Sequence, residues 1–309
     1  MKTHVLLIIF LTVFNQCFGQ DTTIVIEGKK TYLPEVIIRN NLDYAKLIKQ
    51  IKEDTTFHKA FKNLRVLNYT AYNDIKMLDK AGKIKASLFS KTQQNRKNSC
   101  RTMDILHEET SGDFYDNNHD YNYTTGKLYA SLFFTKGKVC GENNIIEGST
   151  ITTDDKKGID KHKEQLKMLF FNPGKKIKGI PFIGDKLDLY DEQAYKLYDY
   201  KLDEVDYHGI NCYSFTITPK KDLGTLLDNV IVDGMTTWFD VKSLEVLGRN
   251  YTLSYKAGVY DFDVSMEVEM THYQDLLVPK VLRYKGNWSV IFKGRERGMF
   301  TATLFNFSK

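Results

Sequence analysis

The sequence has few of the features that most readily betray a function. It has no GxxxxGK[ST] order and no CxxC spacing, and no histidine or cysteine stands at ligand spacing from His162. A phosphate cradle of the common type, a zinc finger and a thioredoxin-like redox site are therefore excluded. The glycine-rich stretch over 174–184, GKKIKGIPFIG, is a connector on the same grounds, apolar and basic enough to touch lipid headgroups if exposed. The acidic loop over 113–120, DFYDNNHD, lacks the regular oxygen spacing, central glycine and closing glutamate of an EF-hand, so it reads as a solvated loop. Charge of one sign is also scarce: 44 bases face 39 acids, for a formal net charge of +5. The bases are scattered, which argues against a nucleic-acid partner. No repeat of 20–50 residues recurs. We expect no metal and no cofactor.

Long apolar runs are likewise missing beyond the start of the chain. Lys2 precedes the run over 5–14, VLLIIFLTVF, which is followed by Asn15, Gln16 and the small Gly19. That is a charged region, a hydrophobic region and a cleavage site, so residues 1–19 read as a signal peptide and the mature chain is expected to begin at Gln20. Ten apolar residues fall short of the roughly 20 needed to span a bilayer, and no later run comes closer. Cys17 follows Asn15 and Gln16 where a lipidation motif has small residues. We expect an exported protein without a transmembrane span, in the periplasm or associated with the outer membrane.

Three cysteines remain after cleavage. Export permits a disulfide, and Cys100 with Cys140 is the first candidate pair because both sit in polar, loop-like surroundings. Closing that loop is worth about 4 kcal/mol on the chain-entropy model. Cys212, inside a strand-like segment, reads as a buried thiol.

What is present is alternation. In the stretch over 261–270, Phe262, Val264, Met266, Val268 and Met270 alternate with Asp261, Asp263, Ser265, Glu267 and Glu269. Successive strand residues point to opposite faces, so this is half-buried antiparallel sheet, apolar on one side and acidic on the other. Strand patterns joined by tight turns continue from residue 195 to 307, including 195–202, 210–219, 236–241, 246–255, 278–284 and 299–307. Earlier, 65–75 and 83–91 read as a hairpin, 91–101 as a polar loop and 103–106 as a short strand. Helices are expected over 42–53, 56–64 and 158–171, while 126–134 fits a short helix or a buried strand equally. At the front, TTIVIEGKKTYLPEVIIR reads as two short strands about a turn, and its last part resembles the closing strand of a carboxypeptidase regulatory-like domain. The expected architecture is α+β and mainly antiparallel β, with residues 20–63 supplying N-terminal strands and cover helices. Residues 64–309 then form a curved sheet domain with an insertion around 95–184.

The C-terminal run carries a family resemblance. A G-x-x-C-Y-like strand, a W-F-D-x-x-[ST]-x-x-[VL] turn and a D-x-L-V-P-K segment resemble the periplasmic lipoprotein-carrier family and its lipoprotein-sorting relatives, over about a third of the chain. The resemblance implies a strongly curved, unclosed, β-barrel-like antiparallel sheet whose concave side is covered by helices and holds an acyl chain. It also implies an arginine inside the cavity, a position assigned to neither Arg249 nor Arg283.

From these readings we expect a non-catalytic binding protein, monomeric, whose apolar pocket is formed by Trp238, Leu253, Tyr255, Phe262, Val264, Met266 and Val268. Its partner would be a lipid or a lipoprotein acyl chain. The same side chains equally satisfy a packed core with no cavity. An alternative is an interaction module that presents the aromatic loop of Tyr115, Tyr121 and Tyr123 to an envelope protein or a glycan. A hydrolase built on the pairs Asp203 and Glu204, or Asp154 and Asp155, is disfavoured because adjacent strand residues point apart.

Overall fold

The computed structural model describes residues 23–26, 29–32, 44–146, 170–171, 173–176, 184–257, 260–290 and 294–309. The signal-type run, the stretch over 33–43, Asp154, Asp155 and His162 lie outside the described residues. So does the helix expected over 158–171, apart from the helical Phe170 and Phe171.

The first described elements are the antiparallel pair β1 (Thr23–Ile26) and β2 (Lys29–Tyr32), then α1 (Tyr44–Glu53) and α2 (Thr56–Asn63). The helices bury the stripes their periodicity marks: Leu47 and Ile51 from α1, and Phe57, Ala60 and Phe61 from α2. A 3-10 turn at Leu64–Val66 leads to β3 (Asn68–Leu78), β4 (Ile84–Lys97) and β5 (Cys100–Gly112). Helix α3 (Thr124–Phe133) and the short β6 (Val139–Cys140) follow. Beyond residue 184 come the single helical turn α4 (Ala194–Leu197), β7 (Tyr198–Tyr207), β8 (Ile210–Pro219), a 3-10 segment at Gly224–Asn229 and β9 (Val232–Asp240). The last four strands are β10 (Val246–Ala257), β11 (Tyr260–Tyr273), β12 (Leu276–Val290) and β13 (Gly294–Ser308). No helix among the described residues is long and apolar enough to cross a membrane.

Among the described residues eleven strands make one antiparallel sheet in the order β6-β5-β4-β3-β13-β12-β11-β10-β9-β8-β7. Two meanders build it, one running outward from β3 to β6 and one running inward from β7 to β13, and the pairing of β3 with β13 joins them. β6 and β7 stay at opposite edges, so the sheet is curved but unclosed, an α+β fold that is mainly antiparallel. Register shifts in the β3–β4, β4–β5, β9–β10 and β11–β12 pairings each add local twist and bend.

Three expectations need correction. The stretch over 91–101, read as a polar loop, is the end of β4 and the start of β5. Its inward residues are polar but hydrogen-bonded: Asn73 Nδ2 donates to Ser90 Oγ and Thr92 Oγ1, and Gln94 Nε2 donates to the carbonyls of Leu64 and Leu67. Satisfied polar side chains line a strand as well as apolar ones do, and they erase the alternation that sequence reading depends on. Residues 195–197, expected in a strand, belong to the turn α4. Trp238 is on the other face of the sheet from the remaining pocket residues. In β9 the inward series is Met235, Thr237, Phe239, and a strand's period of two sends Trp238 outward, where it stacks on Tyr207 at 4.7 Å.

Cys100 of β5 is directly opposite Cys140 of β6, and the two are joined as a disulfide. Cys212 is free and buried, and burial pushes its thiol up to about 11.

Candidate functional site

Directly opposed residues share a face, so the register assembles the inward face row by row. One row runs Tyr200, Ile217, Met235, Tyr251, Met266, Tyr284, Phe300, Ile75, Leu88 from β7 to β4. A neighbouring row runs Leu202, Phe215, Thr237, Arg249, Val268, Leu282, Ala302, Asn73, Ser90. Of the expected pocket residues, Leu253 faces Val264 and Tyr255 faces Phe262, while Met266 faces Tyr251 and Val268 faces Arg249. All six therefore share the inward face, and Trp238 does not.

Their burial is graded. Leu253, Met266 and Val268 are fully buried, whereas Tyr255, Phe262 and Val264 are half-buried. The cause is the placement of the cover. Helix α2 is tied across the lower end of the sheet, where the Val246 amide of β10 donates to Thr56 Oγ1 (3.1 Å) and Asn63 Nδ2 donates to the Leu277 carbonyl of β12 (2.7 Å). Above it an aromatic plug fills the middle: Phe170 lies against Phe61, Phe133 and Phe300, and its carbonyl accepts the Tyr251 hydroxyl at 3.0 Å. Met266 and Val268 thus meet cover side chains in a packed core. Tyr255, Phe262 and Val264 belong to the upper end, beyond α2, together with the half-buried Trp288 opposite Phe262.

The upper end has its own polar frame. Glu296 of β13 accepts the backbone N–H groups of Thr124 and Thr125 at 2.8 and 2.9 Å and the Thr125 hydroxyl at 2.9 Å, placing a carboxylate at the N-terminus of α3. Trp288 Nε1 donates to Thr125 Oγ1 at 3.2 Å, and Lys186 Nζ stands 5.3 Å over the Tyr255 ring. A groove of about 260 Å³ lies between α4 and the Gly224–Asn229 segment. Asp185, Asp188, Asp191 and Lys196 stand in its walls beside Ala194, Leu197 and Leu226, and Lys186, which lies over Tyr255, lines it as well.

Arg249 is the residue that sequence reading left unplaced. Its guanidinium is almost wholly buried on the inward face, with Nε donating to Thr237 Oγ1 at 2.9 Å, the Phe57 ring 4.3 Å away and Asp54 at 3.9 Å. Burial lowers its pKa and Asp54 acts the other way. A signal for it existed: Arg249, Tyr251, Leu253 and Tyr255 are in phase, so the base belongs to the apolar series. Arg283 points outward and pairs with Glu269 at 2.6 Å.

The aromatic loop after β5 is folded on itself. Tyr115, Tyr121 and Tyr123 pack around the buried Phe114, and Gly126 of α3 lets the helix approach, since a Cβ there would sit 3.3 Å from both Phe114 and Tyr121. Asp116 Oδ1 accepts the backbone N–H groups of Asn118 and Asp120, an internal use of the carboxylate. Asp203 and Glu204 lie on opposite faces of β7, opposite Ser214 and Tyr213. Among the described residues no group of three or more histidine, cysteine or acidic side chains is placed to hold a metal ion.

No family model matches the chain, and no curated protein is significantly similar to it. Among solved structures, a DUF1329 family protein from Desulfovibrio piger is 12% identical over 81% of this chain and 91% of its own, with a TM-score of 0.24. A putative outer membrane lipoprotein-sorting protein domain from Vibrio parahaemolyticus is 8% identical over 83% of this chain and 92% of its own, with a TM-score of 0.28. A lipovitellin described for its lipid–protein interactions is 8% identical over 79% of this chain and 25% of its own, with a TM-score of 0.24.

Proposed function

We propose that the chain is an exported, non-catalytic binding protein that holds an acyl chain, of a lipid or a lipoprotein, along the upper end of its inward face. The observation behind this reading is the burial gradient: Leu253, Met266 and Val268 are sealed under the cover, while Tyr255, Phe262 and Val264, on the same face, are left half-buried. An acyl chain laid over them extends the aromatic core without directional chemistry. Each methylene taken out of water contributes about 0.8 kcal/mol. The interaction-module reading has less support, because the rings of Tyr115, Tyr121 and Tyr123 are turned onto Phe114.

The test is titration of the purified protein with a dansyl-labelled fatty acid in detergent-free buffer. Saturable binding is expected, weakened at least tenfold by Val264→Arg and unchanged by Trp238→Ala on the outer face. A wild-type protein that binds no probe, or a Val264→Arg variant that folds and binds as well as wild type, overturns the reading.

A further inference from the structure

The β3–β4 hairpin carries the sheet past the end of its cover. Met77 is opposite Gly298, Gly298 opposite Gly286 and Gly286 opposite Val264, so the turn beyond Met77 stands at the same upper end as Tyr255 and Phe262. In β4, Leu88 and Ala86 hold the inward face opposite Ile75 and Met77, and a register shift follows that sets Ile84 opposite Leu78. Ala86 and Leu88 are completely buried, yet Ile84 is 55% exposed. An aliphatic side chain beside the hairpin turn is thus left in water.

The surrounding charge is mainly positive. Residues 76–85, KMLDKAGKIK, hold Lys76, Lys80, Lys83 and Lys85 against the single acid Asp79. Asp79 is folded into the turn, its Oδ1 accepting the Ala81 and Lys83 amides at 2.8 and 2.9 Å, while Gly82 at φ +80° closes the reversal. Lys76 is paired with Asp74 at 2.6 Å. Lys80 and Lys83 are exposed, and Lys85 reaches 4.6 Å over the Tyr123 ring. Lys127, in the first turn of α3, is exposed as well. The nearby carboxylates are engaged: Glu296 caps α3, and Asp113 accepts the Tyr123 hydroxyl.

We propose that this hairpin docks the protein on an anionic lipid bilayer. Ile84 enters the boundary between headgroups and acyl chains, and Lys80, Lys83 and Lys85 meet the lipid phosphates. An apolar side chain framed by lysines matches that boundary, where burial of the aliphatic group and attraction to anionic headgroups add together. The assignment rests on the acyl-chain reading in one respect: docking there brings the half-buried end of the inward face to the membrane, the source or destination of an acyl chain.

Vesicle flotation tests it. The full protein is mixed with phosphatidylethanolamine vesicles containing phosphatidylglycerol, and separately with phosphatidylcholine vesicles. Wild type is expected to float with the first and not with the second. Lys80→Glu/Lys83→Glu is expected to lower partitioning at least tenfold, Ile84→Asp to lower it comparably, and added salt to weaken binding of wild type. A wild type that fails to float on anionic vesicles overturns the proposal, as do variants that float like wild type or equal partitioning onto neutral vesicles. Dansyl fatty acid binding in buffer, with no vesicles, separates the two readings. Ile84→Asp that keeps probe binding but no longer floats supports membrane docking. A protein that floats but binds no probe sinks the acyl-chain reading alone, and one that binds probe but does not float sinks the docking alone.

Discussion

Arg249 and Asp54 hold the cover to the sheet, and both side chains are more than nine-tenths buried. Replacing Arg249 by Met keeps an apolar stem beneath Phe57 but leaves the Asp54 carboxylate in a nearly dry site. Removing one partner of such a pair costs about 3–5 kcal/mol. Arg249→Met is therefore expected to lower unfolding free energy in urea by that amount, and Arg249→Met/Asp54→Asn to recover most of it, since Asn keeps the acceptor for the Thr56 amide. Equal stability of the single variant and wild type would show that the pair contributes nothing. His58 offers a test in pH. Burial, with Lys62 and Arg65 nearby, lowers it from 6.5 to about 4, so the folded state favours the neutral ring. Between those values the unfolded chain binds the proton more readily, and stability is expected to fall as pH drops from 6.5 towards 4, then level off. Given partial exposure, the change is about 1–2 kcal/mol. His58→Phe, which keeps a ring against Phe171, should flatten that part of the profile of Tm against pH.

Helix α3 is held at the element scale by Glu296. Glu296→Gln leaves one acceptor oxygen for three donors, so a backbone N–H at the helix start loses its partner at about 1–3 kcal/mol. Faster amide exchange at Thr124 and Thr125, with altered Trp288 fluorescence, is the expected readout; unchanged exchange would show that α3 is held by its apolar face alone. The disulfide acts on the β6 segment, where Glu142 bridges Arg65 and Arg101. Cys100→Ser/Cys140→Ser is expected to lower stability by about 2–4 kcal/mol and to speed exchange first over 139–146. A uniform change across the sheet would instead place the effect in the unfolded chain.

How much of this was legible follows from the same chemistry. The bounds of β8 and the cores of β10 and β11 agree with the alternation, because one face there is apolar and the other charged. The β4–β5 join was opaque, because Ser90, Thr92 and Gln94 are inward residues whose polarity is answered by hydrogen bonds that only the fold supplies. The face of Trp238 is hidden for a similar reason, since the inward position beside it belongs to the polar Thr237. The graded burial along β11 depends on where α2 crosses the sheet, and no periodicity in β11 records that.

At the scale of the molecule, the pairing of β3 with β13 joins the two meanders, so the earliest strand of the large sheet waits for the latest one. Pairings so distant along the chain form slowly, because a long loop must close before they return anything. Until β13 arrives, the polypeptide is two half-walls, each with a raw inner border of unsatisfied amides and carbonyls. Sister molecules caught at that stage present matching borders to one another, which makes swapped or aggregated assemblies the foreseeable failure of slow or crowded folding.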